Sequence, residues 1–117
     1  MSKAIYIPTF SNSKGSLSVI ESLLNFSIKR VYYIYNIRGV RGRHKHFKTI
    51  QFFICLNGKV ELTVKNKYQK KYILSKPNKG ILLQPEDWHE FKSLKKNTVL
   101  LVLASHKFSE KDYIYEK

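Results

Sequence analysis

Two histidines separated by one residue are the part of this sequence best suited to chemistry. His44 and His46 lie in sequence that favours a β-strand. Because successive side chains of a strand point to opposite faces, both imidazoles should point to the same face, roughly 7 Å apart along the strand. Such a pair can clamp a metal ion. It can also transfer protons near neutral pH, because the pKa of histidine is about 6.5.

The charge around the histidines indicates an anionic partner. The formal net charge is +14, and residues 22–60 contain eight Lys or Arg residues but no Asp or Glu. A phosphorylated small molecule fits this charge as well as RNA does. Nothing in the chain reads as an RNA-binding aromatic motif, so nucleic acid is not the expected partner. A non-catalytic basic barrel that binds nucleic acid or glycan stays open as an alternative.

The elements that must position the histidines read as strands. Residues 30–36, 59–64 and 98–105 are rich in β-branched and aromatic residues, and turn-forming residues separate them. Asn57-Gly58 is a strong hairpin signal. A chain of 117 residues with 43% hydrophobic content fits one domain with one core. The sequence therefore predicts a single all-β domain over residues 1–117, a small antiparallel β-sandwich or barrel.

Cysteine usage and hydropathy predict a cytoplasmic protein. Cys55 is the only cysteine and lies in an apolar run, so it cannot form an internal disulfide and suits a reducing compartment. No apolar run approaches the roughly 20 residues that a membrane span needs. Residues 1–10 contain neither a continuous apolar segment nor a small-residue cleavage site, so we expect no signal peptide and no membrane partner.

Two separated motifs resemble the signature of the cupin superfamily. The first consists of the His44-x-His46 pair followed by Gln51 and Gly58, and the second of Gly80, Pro85 and His89. This resemblance implies a cupin fold, which is a double-stranded β-helix or jelly-roll barrel with the site inside.

One position separates this chain from the metal-binding cupins that it resembles. Those proteins have a glutamate where Gln51 stands here, and a neutral amide is a poor ligand for a divalent metal. The neighbouring cations also oppose binding of another cation. We therefore expect no metal and no cofactor. A metal-dependent cupin enzyme, with His44, His46 and His89 as a three-histidine site, stays as an alternative.

Six further segments narrow the resemblance to the nucleotide-sugar 3,4-ketoisomerases. They are residues 30–34, 41–46, 55–58, 88–90, 102–105 and 112–114. The resemblance implies an isomerase that moves the ketone of dTDP-4-keto-6-deoxy-D-glucose from C4 to C3 without a metal. It also implies a role in the biosynthesis of a 3-amino-3,6-dideoxy sugar. Members of this family are homodimers that exchange N-terminal strands, which here would lie within residues 1–21.

The implied reaction needs a base, an acid and a positive environment for an enediolate. By resemblance, His44 is the expected base for the C3 proton, and His46 is the second group, as proton donor or oxygen-binding partner. Tyr32 is expected to donate to the ketone or to relay a proton. Arg41 and Arg43 should disfavour the imidazolium and so keep the base neutral.

The remaining candidates are expected to bind the substrate. Arg30 and Arg41 are the expected diphosphate ligands, because a guanidinium binds phosphate through two hydrogen bonds at once. Lys14 stands where the resembling proteins usually have arginine, so it retains the charge without the planar fork. The other three are Gln51, which could hydrogen-bond the substrate, Trp88, which is either core or a platform for the thymine ring, and His89, which could instead hold the barrel together.

Overall fold

The computed structural model describes residues 1–115, and it is built almost entirely from strands. The last two residues of the predicted domain, 116 and 117, lie outside the described part. The strands are β1 (Lys3–Tyr6), β2 (Thr9–Asn12), β3 (Gly15–Ser18), β4 (Arg30–Ile34), β5 (Arg41–His46), β6 (Gln51–Asn57), β7 (Val60–Lys65), β8 (Gln69–Leu74), β9 (Lys79–Leu83), β10 (Trp88–Ser93), β11 (Val99–Ala104) and β12 (Tyr113–Ile114). One short 3-10 turn, Glu110–Asp112, precedes β12.

Two five-stranded antiparallel sheets form the body of the fold. The first has the strand order β1-β9-β6-β11-β4 and the second has the order β12-β5-β10-β7-β8. Apart from the consecutive pair β7–β8, strands that are neighbours in these two sheets are distant in sequence, as in a jelly roll. The all-β prediction is therefore confirmed. No helix within residues 1–115 is long and apolar enough to cross a membrane.

The main core lies between the two sheets. Strand β6 contributes Phe53 and Cys55 to this core, and its neighbour β11 adds Val102 from the same sheet. Strand β7 of the opposite sheet faces them with Leu62. Alternate residues of β6 also bury their side chains on the outer face of the first sheet, where Phe52 packs in a second cluster beneath residues 20–26. Strand β6 is buried on both faces, which explains its continuous apolar sequence.

The hairpin β2–β3 stands apart from this body. It forms a separate two-stranded sheet, and within residues 1–115 its strands pair with each other alone. Almost all of its residues are exposed, including the apolar side chains of Phe10 and Leu17. An isolated two-stranded hairpin is marginally stable in water, so this segment lacks the packing that the rest of the fold has.

Candidate active site

A β-bulge in strand β5 sets the direction of the side chains at the site. His44 pairs with His89 and Arg41 pairs with Phe91, so β5 has one more residue between these pairs than β10 has. The extra residue is Arg43, and both Gly42 and Arg43 have positive φ, +87° and +60°. Paired residues of an antiparallel sheet share a face, so the bulge places Arg41 on the same face as His44. Regular alternation would have placed Arg41 on the opposite face.

Three histidine rings converge between the sheets. The ring centroids of His44 and His46 lie 4.9 Å apart, and those of His44 and His89 lie 4.8 Å apart. His46 and His89 are 6.2 Å apart. The expectation that both histidines of β5 point to one face is thus met. No group of three or more His, Cys, Asp or Glu side chains within residues 1–115 is arranged to hold a metal ion.

His46 is held by a buried carboxylate. Its Nδ1 lies 3.1 Å from Oδ2 of Asp112, and both side chains are almost fully buried. Asp112 is fixed in turn by the Thr49 hydroxyl and by the backbone N–H of Lys48 at 2.9 Å. A carboxylate accepts hydrogen bonds, so Nδ1 of His46 carries the proton and donates it. Nε2 of His46 therefore presents a lone pair. This atom is buried, and none of the residues 1–115 forms a hydrogen bond with it.

Burial keeps the three imidazoles neutral. Desolvation is the main cause that lowers the pKa of His44, His46 and His89 below the ordinary value. His44 adds to this effect on both neighbours, and the pKa of the fully buried His89 falls to about 3. Asp112 opposes the effect and raises the pKa of His46. The sequence attributed neutral imidazoles to neighbouring arginines, but in the structure the main cause is the loss of hydration.

The carboxyl group of Asp112 stays ionised in this position. Burial alone would raise its pKa, but hydrogen bonds from Thr49 and from the Lys48 backbone, together with the nearby His46, lower it overall. A neutral imidazole therefore faces an anionic carboxylate. This arrangement favours the single tautomer in which Nδ1 is protonated.

A tyrosine, a glutamine and an arginine face the histidines from the opposite sheet. Gln51, which is buried, donates from Nε2 to the Tyr32 hydroxyl at 2.9 Å. Arg30 lies over the Tyr32 ring, 4.2 Å from its centroid. Burial raises the pKa of Tyr32 to about 12, although Arg30, Gln51 and Arg41 oppose this rise. Tyr32 is therefore a protonated phenol at neutral pH and can donate a hydrogen bond.

Gln51 also influences His46. Its amide raises the pKa of His46 through a side-chain interaction, yet the geometry of Gln51 Oε1 and His46 Nε2 falls outside that of a hydrogen bond. Gln51 and His46 are therefore neighbours in the site and not a hydrogen-bonded pair. Both atoms remain directed into the space between the sheets.

Two site residues were not assigned a role from the sequence. Asp112 and Tyr113 come from the segment after the last long strand, and β12 pairs Tyr113 directly with His46. The ring centroid of Tyr113 lies 4.6 Å from that of His44 and 4.7 Å from that of His46. The segment 112–114 was part of the family resemblance, which is the signal that could have drawn attention to it.

The structure does not bring every sequence candidate to the histidines. Trp88 precedes His89 on β10 and therefore faces the opposite side of the sheet, where it is buried and Lys65 lies 5.1 Å from its ring. Lys14 lies at the exposed turn of the hairpin β2–β3, with its backbone N–H bonded to Asn12. His89 belongs to the cluster, and its Nδ1 donates to the Asp87 carbonyl at 3.2 Å.

Together these groups suit proton transfer beside a carbonyl. Neutral imidazoles can take up and return a proton, and a protonated phenol can hydrogen-bond a carbonyl oxygen. Arg30 and Arg41 supply positive charge near Tyr32, which suits an oxyanion or a phosphate.

Comparisons with known proteins agree with this chemistry. The family model described as "FdtA: WxcM-like, C-terminal" matches residues 1–117. A TDP-4-oxo-6-deoxy-alpha-D-glucose-3,4-oxoisomerase from Aneurinibacillus thermoaerophilus is 38% identical over 117 residues, which cover 96% of this chain and 84% of that protein.

Solved structures give the same result. A histidine-to-asparagine mutant of the 3,4-ketoisomerase QdtA from Thermoanaerobacterium thermosaccharolyticum, in complex with TDP-4-keto-6-deoxyglucose, has a TM-score of 0.94 and 36% identity, over 98% of this chain and 87% of that one. A 3,4-ketoisomerase from Helicobacter canadensis has a TM-score of 0.92 and 32% identity, over 98% of this chain and 90% of that one.

Proposed function

Because the chain belongs to the FdtA, WxcM-like family and is a sugar 3,4-ketoisomerase, we propose that its substrate is dTDP-4-keto-6-deoxy-D-glucose. The product would be the corresponding 3-keto-6-deoxyhexose, still linked to dTDP. The observation that carries the proposal is the position of the buried His46–Asp112 pair next to His44, facing the Tyr32 phenol. The relatives act on or bind this sugar nucleotide by name, which supports the choice of substrate.

The reaction transfers hydrogen between two adjacent carbons. A base removes the proton from C3, and the electron pair of that bond forms the C3–C4 double bond of an enediolate. The C4 oxygen becomes a hydroxyl as it gains a proton. The C3 hydroxyl then loses its proton to become the ketone, while C4 receives a proton. The molecular formula is unchanged, so no oxidant or reductant is needed.

Geometry favours His46 as the group that removes the C3 proton. Its Nδ1–H is fixed by Asp112, so Nε2 carries the lone pair that a base requires. His44 would be the second group and return the proton to C4, since its ring lies 4.9 Å from that of His46. The family resemblance favoured the reverse assignment, with His44 as the first base. The two assignments predict different behaviour of single variants.

Cationic and polar side chains around the histidines would bind the rest of the substrate. Arg30 is half-buried over the Tyr32 ring, and the bulge directs Arg41 to the same face as His44. We propose that these two guanidinium groups bind the diphosphate. Tyr32 would donate to a sugar oxygen, with Gln51 orienting its hydroxyl.

The place of the reaction follows from the chemistry of its product. A 3-keto sugar nucleotide is the substrate that an aminotransferase needs to introduce nitrogen at C3. We therefore propose a role in the biosynthesis of a 3-amino-3,6-dideoxy sugar. We also propose a cytoplasmic location, which the free buried thiol of Cys55 supports.

The direct test is to incubate the protein with dTDP-4-keto-6-deoxyglucose in D₂O and to follow the ring protons by NMR. We expect loss of the C3 proton signal and appearance of a 3-keto product. The His46→Asn variant should lose exchange at C3, whereas His44→Asn should retain exchange without accumulating product. The opposite pattern would assign the first step to His44. Absence of both exchange and product with the wild-type protein would reject the proposed substrate.

We propose that the chain acts as a homodimer in which the hairpin β2–β3 is exchanged. The exposed apolar side chains of Phe10 and Leu17 support this, because a hairpin whose strands pair only with each other within residues 1–115 would gain stability from a partner. The outer face of edge strand β4 is also exposed and apolar, with Tyr33 and Tyr35 stacked 5.9 Å apart. Strand β1 pairs with β9 of its own chain, so the exchange that we propose involves the hairpin alone.

Exchange would also give Lys14 a role that its position in the monomer does not provide. Lys14 lies at the tip of the hairpin, so a partner's hairpin could carry it to a diphosphate. The double variant Phe10→Glu with Leu17→Glu should shift the mass measured by light scattering from dimer to monomer. Tyr68→Glu, at an exposed turn elsewhere, is the control and should remain dimeric. An unchanged mass in the double variant would contradict the proposed interface.

A further inference from the structure

Tyr113 closes the space in front of the histidine pair. It is the residue of β12 that pairs with His46, and its ring lies within 4.7 Å of the rings of both His44 and His46. Phe108 also packs against this ring, with the two ring centroids 5.7 Å apart. The neighbouring Asp112 anchors the segment through Thr49 and Lys48, so Tyr113 follows directly after a fixed point.

The hydroxyl of Tyr113 is directed toward a cation. Arg30 donates from Nη1 to this oxygen at 3.4 Å, and the same guanidinium lies over the Tyr32 ring. Tyr113 also raises the pKa of Tyr32 by its electrostatic effect. The site therefore contains two phenols that both contact Arg30, and both are near the histidines.

Both phenols have the same hydrogen-bonding pattern. The Tyr32 oxygen accepts from Gln51 and the Tyr113 oxygen accepts from Arg30. An amide N–H and a guanidinium N–H can only donate, so each phenol retains its own proton to donate elsewhere. A donor that is itself polarised by a cation forms a stronger hydrogen bond to an anion.

The intermediate of a 3,4-ketoisomerisation has two adjacent oxygens, on C3 and C4, and negative charge moves between them. We propose that Tyr113 is a second catalytic phenol, whose hydroxyl donates a hydrogen bond to one of these oxygens while Tyr32 donates to the other. Arg30 polarises the Tyr113 hydroxyl and so strengthens the hydrogen bond that this hydroxyl donates to the enediolate. The step transfers no proton from Tyr113, so the atom balance of the reaction is unchanged. The inference rests on the proposed function.

Tyr113→Phe tests this role, because it removes the hydroxyl and retains the ring that packs against the histidines. Loss of one oxyanion donor typically lowers kcat about 10²- to 10³-fold. We expect a fall of that order in kcat and in the rate of C3 proton exchange, with a KM within about threefold of wild type. Tyr68→Phe, at an exposed turn, is the matched control and should retain wild-type rates.

A double-mutant cycle separates catalysis from structural support. If Arg30 acts through Tyr113, the losses for Arg30→Gln and Tyr113→Phe should be strongly non-additive. Equal kcat values for Tyr113→Phe and Tyr68→Phe would overturn the inference, provided that the wild-type protein turns over. A melting temperature that falls in proportion to the lost activity would also overturn it, because the role would then be structural. Failure of the wild-type protein itself would reject the proposed substrate.

Discussion

Replacing Asp112 by asparagine should reverse the tautomer of His46. Oδ1 of Asp112 accepts the backbone N–H of Lys48, so the asparagine oxygen is expected to retain that position. The amide NH₂ then replaces Oδ2, the atom that lies 3.1 Å from Nδ1 of His46. An NH₂ group can only donate, so Nδ1 must accept and the imidazole proton moves to Nε2. The lone pair that the base needs is then lost.

The size of the effect follows from two contributions. A hydrogen bond to a charged group is worth about 1.5–3 kcal/mol, and losing this stabilisation of the imidazolium corresponds to a decrease of roughly 10- to 150-fold in rate. The tautomer with its proton on Nε2 lowers the rate further, and in a comparable Asp-His pair the total decrease in kcat reaches about 10⁴-fold. We therefore expect kcat of Asp112→Asn to fall between about 10²- and 10⁴-fold.

Asp112→Asn should also shift the pH dependence of activity in a defined direction. The base must be neutral, so activity should fall as the pH drops through the pKa of His46, which burial already lowers. Asp112 raises that pKa, so its removal should move the acidic limb to lower pH while the plateau falls. The assay is turnover between pH 5 and 8, together with ¹⁵N NMR of the imidazole to identify the protonated nitrogen.

Asp87→Asn is the matched control for this prediction. Asp87 is also buried, and it also accepts a backbone N–H, from Gln84 at 2.8 Å. It does not contact the side chain of His46, so its loss should affect stability without changing the tautomer. Equal rates and superimposable pH profiles for the two variants would refute the assigned role of Asp112.

Two further predictions concern the strand that presents the histidines and the buried histidine beside it. Gly42→Ala should destabilise the protein more than Gly39→Ala. Both glycines have positive φ, which costs a residue with Cβ about 1–2 kcal/mol. Only at Gly42 would the added Cβ also lie 3.1 Å from the carbonyl oxygen of His89. An equal decrease in the free energy of unfolding for the two variants, measured by urea unfolding, would contradict this prediction. Because the pKa of His89 is about 3 in the folded state, the unfolded chain binds more protons below pH 6.5, and stability should fall by about 2 kcal/mol between pH 6.5 and pH 5. His89→Gln should reduce this dependence, to which His44 and His46 also contribute, and His106→Gln should leave it unchanged. A flat wild-type curve would refute the prediction.

The sequence predicted the parts of the site that follow from local periodicity. The alternation of a strand placed His44 and His46 on one face, and the structure confirms this arrangement. The same rule places Trp88 on the face opposite to His89, so its exclusion from the cluster could have been deduced from adjacency alone. Local sequence was sufficient wherever regular strand geometry decides the direction of a side chain.

The parts of the site that the sequence did not predict depend on irregular or long-range features of the fold. Strict alternation gives the wrong face for Arg41, because a bulge interrupts β5, and only Gly42 hints at it in the sequence. Asp112 contacts His46 across 66 residues through a short 3-10 turn, a contact that no periodic pattern encodes. The cause of the lowered pKa values was also beyond local sequence, since it depends on how deeply the folded chain buries each ring.

The bulge at Arg43 means that substrate binding by Arg41, as we propose it, can change independently of the acid–base pair His44 and His46, although all three residues lie on one strand. If β5 paired regularly through Arg43, Gly42 would lie opposite Phe91 and Arg41 would point outward, while His44 and His46 would keep their pairing with β10 and β12. Such a chain would keep its acid–base groups in place but would bind its anionic substrate more weakly. Substitutions that abolish this bulge therefore offer a route by which relatives can change what they bind without rebuilding how they react.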